Sequence, residues 1–81
     1  MLNAVEIERA TEKDVGVFRG NLGGFSWDIS ESWSQGGAHY KIGVSRTGVR
    51  GSRKTVATRA NWQNAAQIIA DFINKQAKEA K

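Results

Sequence analysis

The chain has 81 residues and a mass of 8.9 kDa, which suits one domain and not several. Apolar residues make up 40% and charged residues 25%, a composition typical of folded rather than disordered proteins. Cysteine is absent, which excludes disulfides, thiolate metal sites and thiol nucleophiles, and the single histidine excludes a histidine-rich metal site. The N-terminal region has no apolar run, so we expect no signal peptide and no membrane span. A cytoplasmic location is the default, in the nucleoid or, for a phage protein, in the host cytoplasm.

We expect a single domain over residues 1–81, with strands within 2–59 and a helix over about 61–78. No proline occurs, and nine glycines separate segments in which apolar and polar residues alternate with period two, the strand signal. Val5 and Ile7 alternate with glutamates in a predicted first strand. A second strand is predicted over 15–19, followed by a turn at 20–24.

The clearest alternation runs over residues 25–33, with aromatic and aliphatic side chains on one face and small polar ones on the other. The strand predicted around 39–46 likewise has Tyr40 on its apolar face. The last predicted strand covers 53–59, with Val56 inward and Ala57 outward.

After residue 60 the apolar residues recur at helical spacing. The stripe comprises Trp62, Ala65, Ala66, Ile68, Ile69, Phe72 and Ile73. Asn61 can cap the helix start, and the lysines at 75, 78 and 81 suit its C-terminal end. Because the helix and the sheet each have one face to bury, we predict an α+β fold: an antiparallel sheet of four to five strands followed by one C-terminal helix packed on one sheet face. The wide stripe also predicts a homodimer through this helix.

The net charge of +4 is unevenly distributed along the chain. Residues 1–37 contain three bases and six acids, a balance of −3, whereas residues 38–60 contain six bases and no acid. An acid-free basic segment is typical of a surface that binds a polyanion. We predict that this surface binds single-stranded DNA, or RNA, with little sequence specificity. The predicted nucleic-acid-binding residues are Lys41, Arg46, Arg50, Arg53, Lys54, Arg59, Trp33 and Tyr40. The two rings are included because they lie near strand ends and could stack on bases.

Catalytic and metal chemistry find little support in the sequence. His39 has no acid nearer in sequence than Glu31, and Asp28 and Glu31 lie on opposite faces of a strand. The segment 48–55 has the glycines and bases of a phosphate-binding loop, but Arg53 stands where that loop requires glycine. We therefore predict no enzyme activity, no cofactor and no metal.

The segment Trp27-Asp28-Ile29-Ser30-Glu31-Ser32-Trp33 resembles the Asp-Ile-Arg-Glu-aromatic strand of the transcriptional coactivator family called positive cofactor four. Gly51-Ser52-Arg53-Lys54-Thr55-Val56, with Trp62 opening a helix, is similar to that family's basic strand and helix-opening tryptophan. Ser30 replaces the family's arginine, and the segment 34–50 is longer than the usual hairpin. The resemblance covers roughly residues 15–75, and Whirly and Pur-repeat proteins share the same element order. It implies transcription-related, weakly sequence-selective binding of single-stranded DNA by a dimer, with Arg53 and Lys54 in the site.

Two alternatives stay open. A sheet followed by a helix also resembles the arm-binding domain of tyrosine integrases and the ethylene-response-factor domain, which insert a sheet into the major groove of duplex DNA. Lys41, Arg53 and Arg59 would then contact bases. Aromatic rings beside the basic face favour single strands, whereas buried rings favour the duplex. The basic surface also fits an acidic protein partner, as in a small virus-encoded inhibitor.

Overall fold

A computed structural model describes residues 2–14, 16–34 and 36–79. The elements in these residues are α1 (Ala4–Ala10), β1 (Thr11–Asp14), β2 (Val17–Leu22), β3 (Phe25–Ser34), β4 (Gly37–Arg46), β5 (Lys54–Ala60) and α2 (Trp62–Glu79). The strands form one antiparallel sheet in the order β1-β2-β3-β4-β5, so each strand pairs with its neighbour in sequence. The predicted fold class, an antiparallel sheet followed by a C-terminal helix, is confirmed.

The predicted N-terminal strand is wrong, because Val5 and Ile7 lie in helix α1. The Asn3 side chain accepts a hydrogen bond from the Glu6 backbone N–H at 3.0 Å, and the Glu6 carboxylate accepts one from the Asn3 N–H at 3.1 Å. This reciprocal capping box satisfies two backbone donors at the start of the helix. Ile7 is fully buried. The Asn-x-x-Glu spacing was the available helix signal, but the local alternation suits a strand equally well.

The second strand and its turn also differ from the prediction. β2 extends to Leu22, which pairs with Phe25, so the turn contains only Gly23 and Gly24. Their φ angles of 61° and 85° are the left-handed conformation that a two-residue hairpin turn requires. Val15, the first residue of the predicted strand, lies outside the described residues. The pattern does not predict β1, which pairs with β2 at the sheet edge.

The core lies between one face of the sheet, the helix face, and the two helices. Cross-strand pairs Trp27–Val44 and Ile29–Ile42 supply its centre, and all four residues are buried. The buried residues of α2 are Ala65, Ala66, Ile69, Ala70 and Ile73. This arrangement confirms the predicted phases of the third and fourth strands.

Helix α1 covers part of the wide apolar stripe of α2, against which it packs. The Leu2 N–H donates to Asn74 Oδ1 at 2.9 Å, and Asn74 Nδ2 donates to the Leu2 carbonyl at 2.8 Å. The width of the stripe therefore has a cause within the chain, since α2 must bury one side against the sheet and another against α1.

Thr11, the first residue of β1, connects the end of α1 to the core. Its hydroxyl donates to the Ile7 carbonyl at 2.6 Å and accepts a hydrogen bond from Trp27 Nε1 at 2.9 Å. The indole of Trp27 lies across Gly20 on β2. These contacts connect α1, β1, β2 and β3 at one buried tryptophan.

In β5 the predicted phase is wrong at Ala57, which pairs with Ile42 on the helix face instead of pointing outward. The β4–β5 register shifts on both sides of Ile42, and such bulges break the strict alternation on which the prediction relied. Val56 is half-buried, and both residues pack at the margin of the core.

Among the described residues, no helix combines the length and apolar character needed to cross a membrane.

Candidate nucleic-acid interface

The sheet face opposite the helices, called here the open face, is built from rows of directly opposed residues. The central row runs from Glu12 on β1 through Arg19 and Asp28 to Gly43 on β4 and Thr55 on β5. Directly opposed residues point to the same side of a sheet, so this row alternates acidic and basic side chains across three strands.

The rows beside it are mostly uncharged and rich in hydroxyl groups. One row contains Asn21, Ser26 and Ser45, and the other contains Val17, Ser30 and Lys41. An open groove of about 1000 Å³ lies along these strands, and its lining includes Asp28 and Ser30. A groove with hydroxyl, amide and charged groups offers hydrogen bonds to a polar ligand rather than an apolar pocket.

Arg53 precedes β5 and reaches over β4 to the carboxylate of Asp28 on β3. Its Nε donates to Asp28 Oδ2 at 3.1 Å, and its Nη2 donates to Oδ1 at 2.8 Å. The guanidinium lies against Gly43, where any Cβ atom would collide with it. The hydrogen bond to Asp28, and secondly its negative charge, raise the pKa of Arg53 above its ordinary value. Both side chains keep solvent contact, with 49% of Arg53 and 34% of Asp28 exposed.

The structure divides the predicted basic residues between two sides of the sheet. Lys41 and Arg53 are on the open face, and Arg59 is exposed on β5 next to the buried Ala60. Arg46 and Lys54, by contrast, oppose the helix-face residues Phe25 and Val44. They lie beside Phe72 and Gln76 of α2 and not with Lys41.

Arg50 lies in the loop between β4 and β5, which internal hydrogen bonds hold in shape. The Ser52 hydroxyl donates to the Val49 carbonyl at 2.7 Å and accepts a hydrogen bond from the Arg46 N–H at 2.9 Å. The Thr47 N–H donates to the Gly24 carbonyl at 2.9 Å, which ties this loop to the β2–β3 turn. The exposed Arg50 is thus presented by a braced loop at one end of the sheet.

The two predicted stacking rings occupy different environments. Trp33 is 75% exposed near the end of the β3–β4 hairpin, opposite Ala38. Pairing with β2 ends at Ser30 and pairing with β5 ends at Tyr40, so the hairpin projects past its neighbours as a two-stranded arm. Tyr40 is half-buried on the helix face, with its ring centroid 5.3 Å from that of Trp62.

The interpretation of Trp62 as a core residue is wrong, because its side chain is 45% exposed. Its ring packs on Phe18 at a centroid distance of 4.6 Å and borders a cleft of about 380 Å³ between α1, β2 and α2. Helical periodicity places Trp62 on the apolar stripe, and its ring does pack on Phe18 and Tyr40 of the sheet, but these contacts leave nearly half of the residue exposed.

Sequence reasoning did not include Arg19 or Asp28 in the site. Arg19 lies in the acidic N-terminal third, and the sequence singles out Asp28 only as a possible catalytic carboxylate and as part of a strand motif. The strand alternation could have placed both on the open face, but their neighbours depend on the register of three strands. In the described residues, no group of three His, Asp or Glu side chains could hold a metal ion.

Comparison of the chain with protein-family models, with curated proteins and with solved structures gives no match.

Proposed function

We propose that this chain is a non-enzymatic nucleic-acid-binding protein, with single-stranded DNA as its first target. The observation that supports the proposal is an exposed sheet face that carries hydroxyl and cationic groups while the opposite face holds the core. Lys41, Arg50 and Arg59 form no ion pair with a carboxylate of the described residues. When exposed cations of this kind bind phosphates, the counterions condensed on the nucleic acid are released, which favours association.

Trp33 supports a single-stranded target. Its ring is the most exposed large apolar side chain among the described residues. Bases of a single strand stack on such rings, and each stack contributes about 1–3 kcal/mol. Lys41 follows Ala38, the cross-strand partner of Trp33, by three residues or about 10 Å along β4. A single strand that crosses the free edge of the hairpin arm can reach both the ring of Trp33 and the ammonium group of Lys41.

Duplex binding is the second candidate, and a specific observation favours it. The open face has no phenylalanine, tyrosine or tryptophan among the described residues of its rows. A face with hydroxyl and cationic groups but no stacking rings suits the edges and phosphates of paired DNA. Trp33 would then contribute little to binding.

Fluorescence anisotropy with labelled single-stranded and duplex oligonucleotides, at several salt concentrations, tests the proposal. Lys41→Ala combined with Arg50→Ala should weaken binding and reduce the salt slope for single strands by about 1.4, or about 0.7 for each lost phosphate contact. Lys75→Ala combined with Lys78→Ala is the matched control, since it removes the same charge from the exposed side of α2. Equal effects of the two double variants would show that affinity depends on the net charge of the protein and not on the position of the cations. No binding at low salt would overturn the proposal.

Trp33 decides between the two targets. Trp33→Leu should weaken single-strand binding about 5-fold to 150-fold, the equivalent of one lost stack. Trp33→Phe should retain most of the affinity because it keeps an aromatic face. If Trp33→Leu leaves single-strand affinity unchanged and duplexes bind more tightly, the duplex candidate replaces the first.

A homodimer through α2 and a cytoplasmic or nucleoid location complete the proposal. Light scattering of the protein with and without an oligonucleotide measures the mass directly. A monomer in both conditions would remove the dimer from the proposal and leave the binding function in place.

A further inference from the structure

The Arg53–Asp28 pair differs from the other cationic groups of the open face because its charge is balanced. The carboxylate of Asp28 touches the guanidinium through two hydrogen bonds, at 3.1 and 2.8 Å. A phosphate that approached Arg53 would also approach this carboxylate and be repelled by it. The pair is therefore a weaker phosphate site than Lys41 or Arg50, although the sequence ranks Arg53 with them.

The same contact leaves Arg53 with an oriented set of donors. A guanidinium has five N–H groups, and the bonds to Asp28 use the Nε–H and one N–H of Nη2. The remaining donors are two on Nη1 and one on Nη2, and one N–H of each nitrogen forms a second fork in the same plane, at the end of the guanidinium. Asp28 and the flat contact with Gly43 restrict rotation of the group, and 49% of the side chain is exposed to a ligand.

A fixed fork of donors in a charge-balanced pair suits a neutral ligand that has two adjacent acceptors. Guanine presents O6 and N7 on one edge and matches a guanidinium bidentately. Adenine presents a donor beside N7, which would face a donor of the fork. The groove beside Asp28 supplies hydroxyl groups, including that of Ser30, for the rest of the base.

We propose that Arg53, oriented by Asp28 and Gly43, is a guanine-recognition residue of the open face, so that binding prefers guanine-containing DNA. The inference rests on the proposed nucleic-acid-binding function and makes it more specific. Lys41 and Arg50 hold the backbone in this scheme, whereas Arg53 reads a base.

The test compares three single-stranded oligonucleotides of equal length by anisotropy: all thymine, thymine with isolated guanines, and the same sequence with 7-deazaguanine. Lithium buffer and isolated guanines prevent quadruplex formation. The guanine oligonucleotide should bind about 5-fold to 150-fold more tightly than the all-thymine one. Loss of N7 should remove most of this preference without any change to the protein.

Substitutions then test whether the preference for guanine depends on the Arg53–Asp28 pair. Arg53→Lys should reduce the preference, because the ammonium group keeps the charge but lacks the planar fork of donors. Asp28→Asn should reduce the preference yet strengthen all-thymine binding, because a repelling carboxylate is removed. Arg19→Lys makes the same chemical change in the neighbouring strand and should leave the preference intact.

The outcomes separate this inference from the function on which it rests. Equal binding of the guanine and all-thymine oligonucleotides, an unchanged affinity with 7-deazaguanine, or an undiminished preference in Arg53→Lys overturns guanine recognition and leaves the binding function standing. Absence of binding to every oligonucleotide overturns both.

Discussion

Replacing Gly20 with alanine should destabilise the fold strongly, although both residues are small and the backbone there is ordinary strand. A Cβ atom at this position would lie 2.5 Å from the Ala10 carbonyl oxygen and 2.6 and 2.7 Å from two indole carbons of Trp27. Ordinary van der Waals contact begins near 3.4 Å, so these groups must retreat by 0.7 to 0.9 Å. Trp27 is 3% exposed and bonded to Thr11, so it has little freedom to move.

Overpacking of this kind costs about 1–3 kcal/mol, and alanine in place of glycine in a strand recovers about 0.5–1 kcal/mol. Because one of the clashing groups is backbone, we expect a net loss of about 2 kcal/mol. In a domain of this size that loss lowers the melting temperature by about 8–16 °C.

Gly43→Ala is the matched control, since its Cβ would also collide, but with the guanidinium of Arg53. That group is the end of a half-exposed side chain that Asp28 orients, so an added methyl group can displace it into solvent once its pair with Asp28 is broken. The lost exposed ion pair is worth about 0–1 kcal/mol, which the gain from replacing glycine offsets. Urea titration followed by tryptophan fluorescence, with thermal melts by circular dichroism, compares the two variants. Equal stability of Gly20→Ala and wild type, or equal losses in both variants, would refute the packing argument.

Substitutions at two further positions test the contacts that attach α1 to the rest of the molecule. Thr11→Val removes the acceptor of the Trp27 N–H and should cost about 1–3 kcal/mol in the free energy of unfolding. Thr11→Ser keeps the hydroxyl and should retain most of the stability in the same urea titration. Asn74→Ala removes both hydrogen bonds to the Leu2 backbone and should cost about 1–2 kcal/mol. Hydrogen exchange should accelerate in α1 but not in the centre of α2, and unchanged exchange in α1 would contradict this assignment.

The parts of the fold that local pattern predicts are the long ones. β3, β4 and α2 each repeat one period over ten or more residues, so their buried faces can be read from Trp27, Ile42 and Ile69. α1 has only seven residues, and its apolar positions fit either period. Helices that short depend on packing and capping for their stability, which is why the strand prediction failed there.

The candidate site also combines features that local pattern predicts with features that it does not. The acid-free segment 38–60 shows where the bases are concentrated, and alternation places Lys41 on the face away from α2. Alternation cannot show that Asp28 meets Arg53, because the two residues are 25 positions apart and lie on either side of β4. Alternation does separate Lys54 from Arg53, because neighbouring residues of a strand point to opposite faces, and the structure places Lys54 on the helix face opposite Val44.

The sequence by itself determined the α+β class, the paired strands at the centre, the amphipathic C-terminal helix and the concentration of positive charge. These features follow from composition and from local periodicity, which act within one element at a time. Tertiary structure alone decided that Asp28 holds Arg53 and where bulges shift the pairing of β5. Those outcomes depend on strand register and on bulges, where a shift of one residue moves a side chain to the other face of the sheet.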